Sequence, residues 1–314
     1  MTYAQSGLIQ ATDYNTLIGT SPGSTANALN TVWAVGSGSA GYGQTAVPTV
    51  AVSNTVTATQ WASLINTLNS AIIHQSGSNS GISAPTAGTT INYLSTLQSS
   101  INTAYANRLL TSPTGAVVTS ASFTSAWTSA STTSTLTRSF GLRATFASAD
   151  QARYFFNARG LLSYSMFGIA NDAVARTLAA NNVSWSMAGI QNFIANVNGG
   201  RVGTGATLIT NDTTKGYYNI TTANATIVSV TSTTTNYTTD SGTITIKTNG
   251  LQGSNNDNGT TIDFWTTINS TSGGNAGGSF DDSLNLTIYQ QITAVYPETT
   301  NLANTWGAVT ITQL

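Results

Sequence analysis

Very few side chains in this sequence can carry a proton near neutrality or act as a nucleophile. There is one His, His74, one Glu, Glu298, and no Cys. Acid–base and covalent catalysis depend on such groups. A Ser/His/Asp triad would have to use His74, and no Gly-x-Ser-x-Gly elbow is present to expose its serine. His74 follows Ile72 and Ile73 near the predicted end of a helix, where the terminal carbonyls favour a ring N–H. A structural His is the simpler assignment. Paired carboxylates hydrolyse glycosidic bonds, and the candidates here are Asp257, Asp263, Asp281 and Asp282. All but Asp263 lie in or beside Gly/Asn-rich turns, where Asp bonds to its own backbone, so turn chemistry is the favoured reading. The run Asn255 to Gly259 has the flavour of a calcium loop but lacks the acidic spacing and the terminal Glu. No catalytic residue, cofactor or metal is therefore expected.

One further group stands out. Arg153 and Arg159 flank Tyr154, Phe155 and Phe156. Arg and aromatic side chains are enriched at protein interfaces and pair through cation–π contacts, which makes these five residues a candidate interface. A core helix carrying two solvated Arg fits the same residues equally well.

The composition restricts what these groups can serve. Only 6% of the 314 residues are charged, against about a quarter in an ordinary soluble domain. Thr, Ser, Asn, Gly and Gln must supply the polar surface instead. Hydrophobic residues make up 40% and aromatics 9%, enough to build cores and to argue against disorder. The formal net charge is −1 and the nine Lys/Arg are scattered, so no basic run can track phosphates and no nucleic-acid partner is expected. Without Cys there are no disulfides and no thiolate zinc sites. No stretch approaches the roughly 18 apolar residues of a membrane span, so no membrane association is expected. The opening Met1–Gly7 has neither the basic nor the apolar region of a signal peptide. Charge-poor chains of this kind usually work outside a cell. Assembly into a virus particle in the host cytoplasm, followed by release on lysis, reconciles the two expectations. Asn-x-Ser/Thr triplets at Asn219, Asn236 and Asn285 are what a Thr- and Asn-rich chain makes by chance.

The elements that must position these groups fall into three expected regions, giving an α+β chain. Residues 1–115 read as a helical attachment region. Ile9–Ile18 aligns with Val56–Ile65, with Ala, Thr, Leu and Ile identical and an aromatic, Tyr14 or Trp61, at the same place. Thr12 and Thr59 are the expected N-caps. Duplication and two independent amphipathic helices with common caps both explain the match. The second helix is predicted to continue through Leu68, Ile72 and Ile73, and a third spans Thr90 to Leu110 on an Ile91/Leu94/Leu97/Ile101 stripe. Between the first two helices, Trp33–Gln44 is a glycine-rich loop without a phosphate-loop Lys. It is read as structural, or as a place where neighbouring subunits approach closely.

Residues 116–200 read as a mixed α+β region. The pattern predicts a strand over Leu136–Phe146, then a helix opened by Ser148, with Gly160 as its C-cap. A strand over Leu161–Ile169 follows, then helices over Asp172–Leu178 and Trp185–Asn196, closed by Gly199–Gly200. Residues 201–314 read as β-rich, a sandwich or jelly roll. Its predicted strands are Tyr217–Ile220, Thr226–Thr231, Gly242–Thr248, Thr261–Asn269, Ser283–Ala294 and Trp306–Gln313.

Four segments, Ala11–Ile18 with its Ala58–Ile65 copy, Trp33–Gln44, Phe146–Gly160 and Thr299–Gly307, resemble tailed-bacteriophage virion structural proteins, a tail- or fibre-associated, cyanophage-like group. The resemblance implies a location, the virion, more than a mechanism, and it carries over no catalytic residue. It implies a non-enzymatic tail component (fibre, baseplate or neck appendage) whose partners are other virion proteins. Copies of itself are a further expected partner, since symmetric homo-oligomers are common. A capsid decoration protein and a receptor- or glycan-binding adhesin, with a host-surface glycan as partner, are the alternatives. In that group Gly-Gly follows the Phe-Phe-Asn stretch, and here Arg159 stands for the first Gly. If the turn needs a positive φ there, its geometry is expected to differ.

Overall fold

The computed structural model describes residues 10–19, 27–36, 38–110, 118–129, 135–188, 191–193, 206–212, 214–250, 258–271 and 283–314. Four helices come first: α1 (Ala11–Ile18), α2 (Leu29–Trp33), α3 (Ala58–Ser76) and α4 (Leu94–Ala106). The start of α3 follows from a capping box. The Thr57 hydroxyl accepts from the Gln60 amide at 3.3 Å, and the Gln60 side chain accepts from the Thr57 amide at 2.8 Å. The cap is therefore Thr57, two residues before the expected Thr59. The first copy starts at the equivalent Gln10, whose amide donates to Asp13 at 3.0 Å, so Thr12 lies inside its helix. Gly77, at φ 78°, ends α3 in the left-handed region.

Apolar residues at helical spacing meet in one core: Tyr14, Leu17 and Ile18 of α1, Trp61, Leu64, Ile65 and Leu68 of α3, and Leu94, Leu97 and Ile101 of α4. The two aromatics of the repeat pack against each other edge to face, Tyr14 on Trp61 at 5.4 Å. A helix with almost no charge on its outer side gains little from surface pairs, so burial of this stripe is what holds it.

The rest of the chain builds two antiparallel sheets. Its strands are β1 (Val118–Ser129), β2 (Thr135–Thr145), β3 (Leu161–Ala170), β4 (Gln191–Phe193), β5 (Ala206–Asn211), β6 (Ala225–Ser232), β7 (Ser241–Thr248), β8 (Thr261–Thr271), β9 (Leu284–Val295) and β10 (Thr310–Gln313). The small sheet runs β1-β9-β3-β4 and the large sheet β10-β2-β8-β7-β6-β5. They pack face to face. Tyr164 of β3 stacks on Phe264 of β8 at 5.0 Å, and Trp127 of β1 meets Phe140 of β2 at 6.3 Å. Helix α5 (Ala149–Asn157) sits between β2 and β3, and α6 (Ala175–Met187) packs on β3 and on β6, β7 and β8, covering the half of the large sheet that the small sheet does not reach.

The architecture is α+β with a sandwich-like pair of sheets, as expected, but its parts are interleaved. Strand β2 pairs with β8, and β1 and β3 both pair with β9. The expected boundary near residue 200 thus cuts through both sheets, because long-range strand pairing leaves no mark in local periodicity. Two predicted helices are replaced by the single α6, followed by the short β4. Tyr217–Asn219 is a 3-10 turn rather than a strand, and only Thr310–Gln313 of the last predicted strand is extended in a sheet. Gly199–Gly200 lies outside the described residues.

Candidate functional site

Three of the segments singled out by their sequence converge at one place, the seam between the helical region and the sandwich. Helix α5 starts where Ser148 accepts from the Gln151 amide at 3.1 Å. Its side chains then enclose the glycine-rich loop. Arg153 donates to the Ala40 carbonyl at 2.8 Å, to the Val35 carbonyl at 2.9 Å and to Asp150 at 3.2 Å. The Asn157 amide donates to the carbonyls of Gly38, Ala40 and Gly41 at 3.0–3.2 Å, and its oxygen accepts from the Tyr218 hydroxyl. Arg108 holds Ser39 from the helical side, at 2.9 Å to both its carbonyl and its hydroxyl. A loop rich in glycine exposes many carbonyls without side chains to serve them. Two planar multi-donor groups, Arg153 and Asn157, satisfy several at once.

The third segment closes the seam. Gln44 and Ala303 exchange two bonds, at 2.9 and 2.8 Å, and the Thr305 hydroxyl donates to the Tyr42 carbonyl at 2.7 Å. Tyr42, fully buried, donates its hydroxyl to the Arg108 carbonyl at 2.7 Å and accepts from Gln75 at 2.8 Å. Burial pushes its phenol well above the usual range and keeps it neutral. Gly43 has to be a glycine: a Cβ there would lie 2.4 Å from the Tyr154 ring.

Four of the five candidate interface residues, Arg153, Tyr154, Phe155 and Phe156, therefore form an interface within the chain, while Arg159 is partly exposed. Arg153, Phe155 and Phe156 are at most 3% exposed and Tyr154 is 9% exposed, so they offer no surface to another molecule. Phe155 and Phe156 pack with Phe146, Tyr296 and Tyr217. The alternative of two solvated Arg is corrected for Arg153 as well. Arg159 adopts φ 69°, so the turn does need the left-handed conformation and the chain accepts it without glycine. Its amide bonds to the Phe156 carbonyl at 3.1 Å and the Gly160 amide to the Phe155 carbonyl at 2.7 Å, the Schellman pattern. Arg159, not Gly160, is the left-handed residue. Gly160 is required for a different reason, since a Cβ there would lie 2.6 Å from three carbons of the Phe155 ring.

His74 and Glu298 meet across this seam, His74 Nδ1 lying 3.0 Å from Glu298 Oε1. A carboxylate only accepts, so Nδ1 carries the proton. Burial lowers the His74 pKa, and the bond and charge of Glu298 offset this in part. Burial alone would raise the Glu298 carboxyl, but bonds from His74, Asn301 and Thr300 outweigh it and hold it low. The two lowered values together favour a neutral ring on an anionic carboxylate. Its carboxylate also accepts from the amides of Thr300 and Asn301 at 2.6 and 3.1 Å, which shapes the turn after β9. Asp263 is 2% exposed, and its two oxygens take Nε and Nη2 of Arg143 at 2.6 and 2.7 Å. Asp257, Asp281 and Asp282 lie outside the described residues, as does most of Asn255–Gly259. Among the described residues no three His, Asp or Glu converge as metal ligands, and no helix is long and apolar enough to cross a membrane.

What the sequence did not single out is on the surface. On the outer face of the small sheet Phe167 stacks on Tyr289 at 4.9 Å and touches Trp185 of α6 at 5.4 Å. Ile169 and Trp185 are 44% and 46% exposed. The edge strand β1 runs 12 residues, VTSASFTSAWTS, without a charge or a proline, the devices that normally blunt a sheet edge. No protein-family model, curated protein or solved structure matches this chain.

Proposed function

We propose that this chain is a non-enzymatic structural component of a tailed-phage virion, a part of the tail that acts by assembling with other virion proteins and with copies of itself. The observation that carries the reading is the aromatic row Trp185–Phe167–Tyr289, exposed at Trp185 and half-buried at Phe167 and Tyr289, with exposed Ile169 beside it. Contiguous apolar surface on a folded chain marks a contact site. The uncharged edge of β1 adds a second surface on which another strand can pair, and a net charge of −1 gives little repulsion between close-packed copies. His74, Glu298 and Asp263 are bonded inside the fold, which fits a part made for packing. The assignment to a phage rests on the sequence resemblance of the segments that build the seam.

Labelling this chain in purified particles and locating it by electron microscopy tests the location. The label is expected on the tail; intact particles without the chain would sink the proposal. Trp185→Glu combined with Ile169→Asp is expected to abolish self-association of the purified chain in sedimentation while leaving its circular dichroism unchanged.

A further inference from the structure

The outer face of the large sheet, across β2, β8 and β7, is largely Ser and Thr, interrupted by an aromatic and charged patch. Across β2, β8 and β7 the register places Gly141, Trp265 and Thr245 in one row, and Arg143, Asp263 and Lys247 in the next. Residues directly opposite on antiparallel strands share a face, and diagonal neighbours lie about 7–8 Å apart, within reach of long side chains. Trp265 lies flat. A Cβ built on Gly141 would sit 2.8–2.9 Å from the consecutively bonded ring carbons Cδ2, Cε3 and Cζ3. Near-equal distances to three bonded carbons place that Cβ over the face of the ring, not at its edge. One face of the indole thus covers Gly141, and the other is turned away from the sheet.

The neighbouring row is unusual in a chain with so few charges. Asp263 spends both oxygens on Nε and Nη2 of Arg143. Arg143 keeps its Nη1 hydrogens and a side chain 37% exposed. Lys247, on the other side of Asp263, makes no ion pair among the described residues. Among the described residues two cations face one carboxylate, which gives this patch a net positive charge next to a half-buried aromatic plane.

We propose that this patch binds an acidic saccharide, a pyranose ring stacked on the outer face of Trp265 with its carboxylate between Lys247 and Nη1 of Arg143. The charge selects an anionic ligand, and the flat indole selects one that also has an apolar C–H face. A bare anion would use only the first, and a neutral sugar only the second. The surrounding Thr245 and Thr267 hydroxyls are of the kind that bond ring hydroxyls. This site lies on a different sheet from the aromatic row and stands or falls separately from the assembly proposal.

Calorimetric titration of the full chain with tri-galacturonate, a hyaluronan tetrasaccharide and sialyllactose tests it, with the methyl ester of tri-galacturonate as the neutral control. At least one acidic probe is expected to bind at millimolar concentration and to weaken as salt screens the cations. Trp265→Ala is expected to weaken binding about tenfold, the scale of an aromatic contact, and Lys247→Gln about fivefold, the scale of one exposed ion pair. Should Trp265→Ala uncover Gly141 and disturb the sheet, Lys247→Gln and the salt dependence still decide. Failure of all three acidic probes to bind overturns the proposal. So does equal affinity for the ester, or binding untouched by Lys247→Gln.

Discussion

The seam and the outer faces of the sheets are made from opposite kinds of polar residue. At the seam a few strong groups, Arg153, Asn157, Gln44 and Glu298, are buried or partly buried, and each serves several backbone partners. On the sheet faces many weak groups each serve one. Ser139 meets Thr267 at 2.8 Å, Thr137 meets Asn269 at 2.7 Å, and Ser120 meets Thr293 at 2.9 Å. A chain with 6% charge is thus not merely short of polar strength. It places that strength inside, where an unserved carbonyl is costly, and covers its surface with short hydroxyls that hydrate easily and lose little rotamer freedom.

The strongest attempt to break this contrast is Arg153→Ala. It strips the side-chain donor from the Val35 carbonyl and one of two from the Ala40 carbonyl, which keeps Asn157, and a buried unserved polar group costs about 1–3 kcal/mol. A loss of about 3 kcal/mol in chemical denaturation is expected, with Asn157→Ala close behind. If either variant cost no more than a surface change, the seam would not be the joint that holds the two cores together. Gly160→Ala attacks the same joint through packing. Its Cβ would press into the Phe155 ring, and overpacking of this kind costs about 1–3 kcal/mol.

How far the sequence foretold this joint can be judged residue by residue. Ser148 at the head of α5 and the Leu161–Ile169 strand were legible because cap chemistry and alternation are local signals. The role of Arg153 was not. Its partners are carbonyls of a loop more than a hundred residues earlier, and a carbonyl has no side-chain signature. β1 carries no legible strand signal because Ser, Thr and Ala occupy both of its faces, which leaves period-two alternation with little contrast. α6 reads as two helices because it buries Arg176, Thr177, Ser184 and Ser186 among its apolar residues, so its apolar stripe is broken. The aromatic row and Trp265 were beyond reach for a third reason: whether an aromatic on a strand faces core or solvent depends on which sheet the strand joins.

Acid sharpens the comparison, since the seam holds a titratable pair. The His74 pKa is lowered below its ordinary 6.5 by burial, so below that pH the unfolded chain takes up a proton that the folded chain refuses. Stability is then lost as pH falls. Glu298, held below its ordinary 4.5 by its hydrogen bonds despite burial, adds a second loss at lower pH, when its carboxylate must be protonated. Both signs agree. The thermal midpoint is expected to fall from pH 7 to pH 5 and further toward pH 4. His74→Gln, which keeps a donor without the titration, is expected to flatten the upper part of that slope. A midpoint that rose on acidification would mean the ring is charged in the folded state.

A smaller effect of opposite sign is expected at the end of α5. Arg159 sits in the left-handed region, which disfavours a side chain by roughly 1–2 kcal/mol. Glycine relieves that but loosens the unfolded chain, so Arg159→Gly is expected to stabilise by about 0.5–1 kcal/mol in denaturant titration.

The smallest effect is the most discriminating. Ser139→Ala removes one exposed hydroxyl contact with Thr267 and leaves no buried group unserved, because water reaches both positions. A change within about 0.5 kcal/mol is expected. If this single hydroxyl instead cost as much as a seam residue, the rungs of the sheet face would be coupled to one another. The face would then contribute to holding the fold together, and the division between a strong interior and a weakly bonded surface would fail.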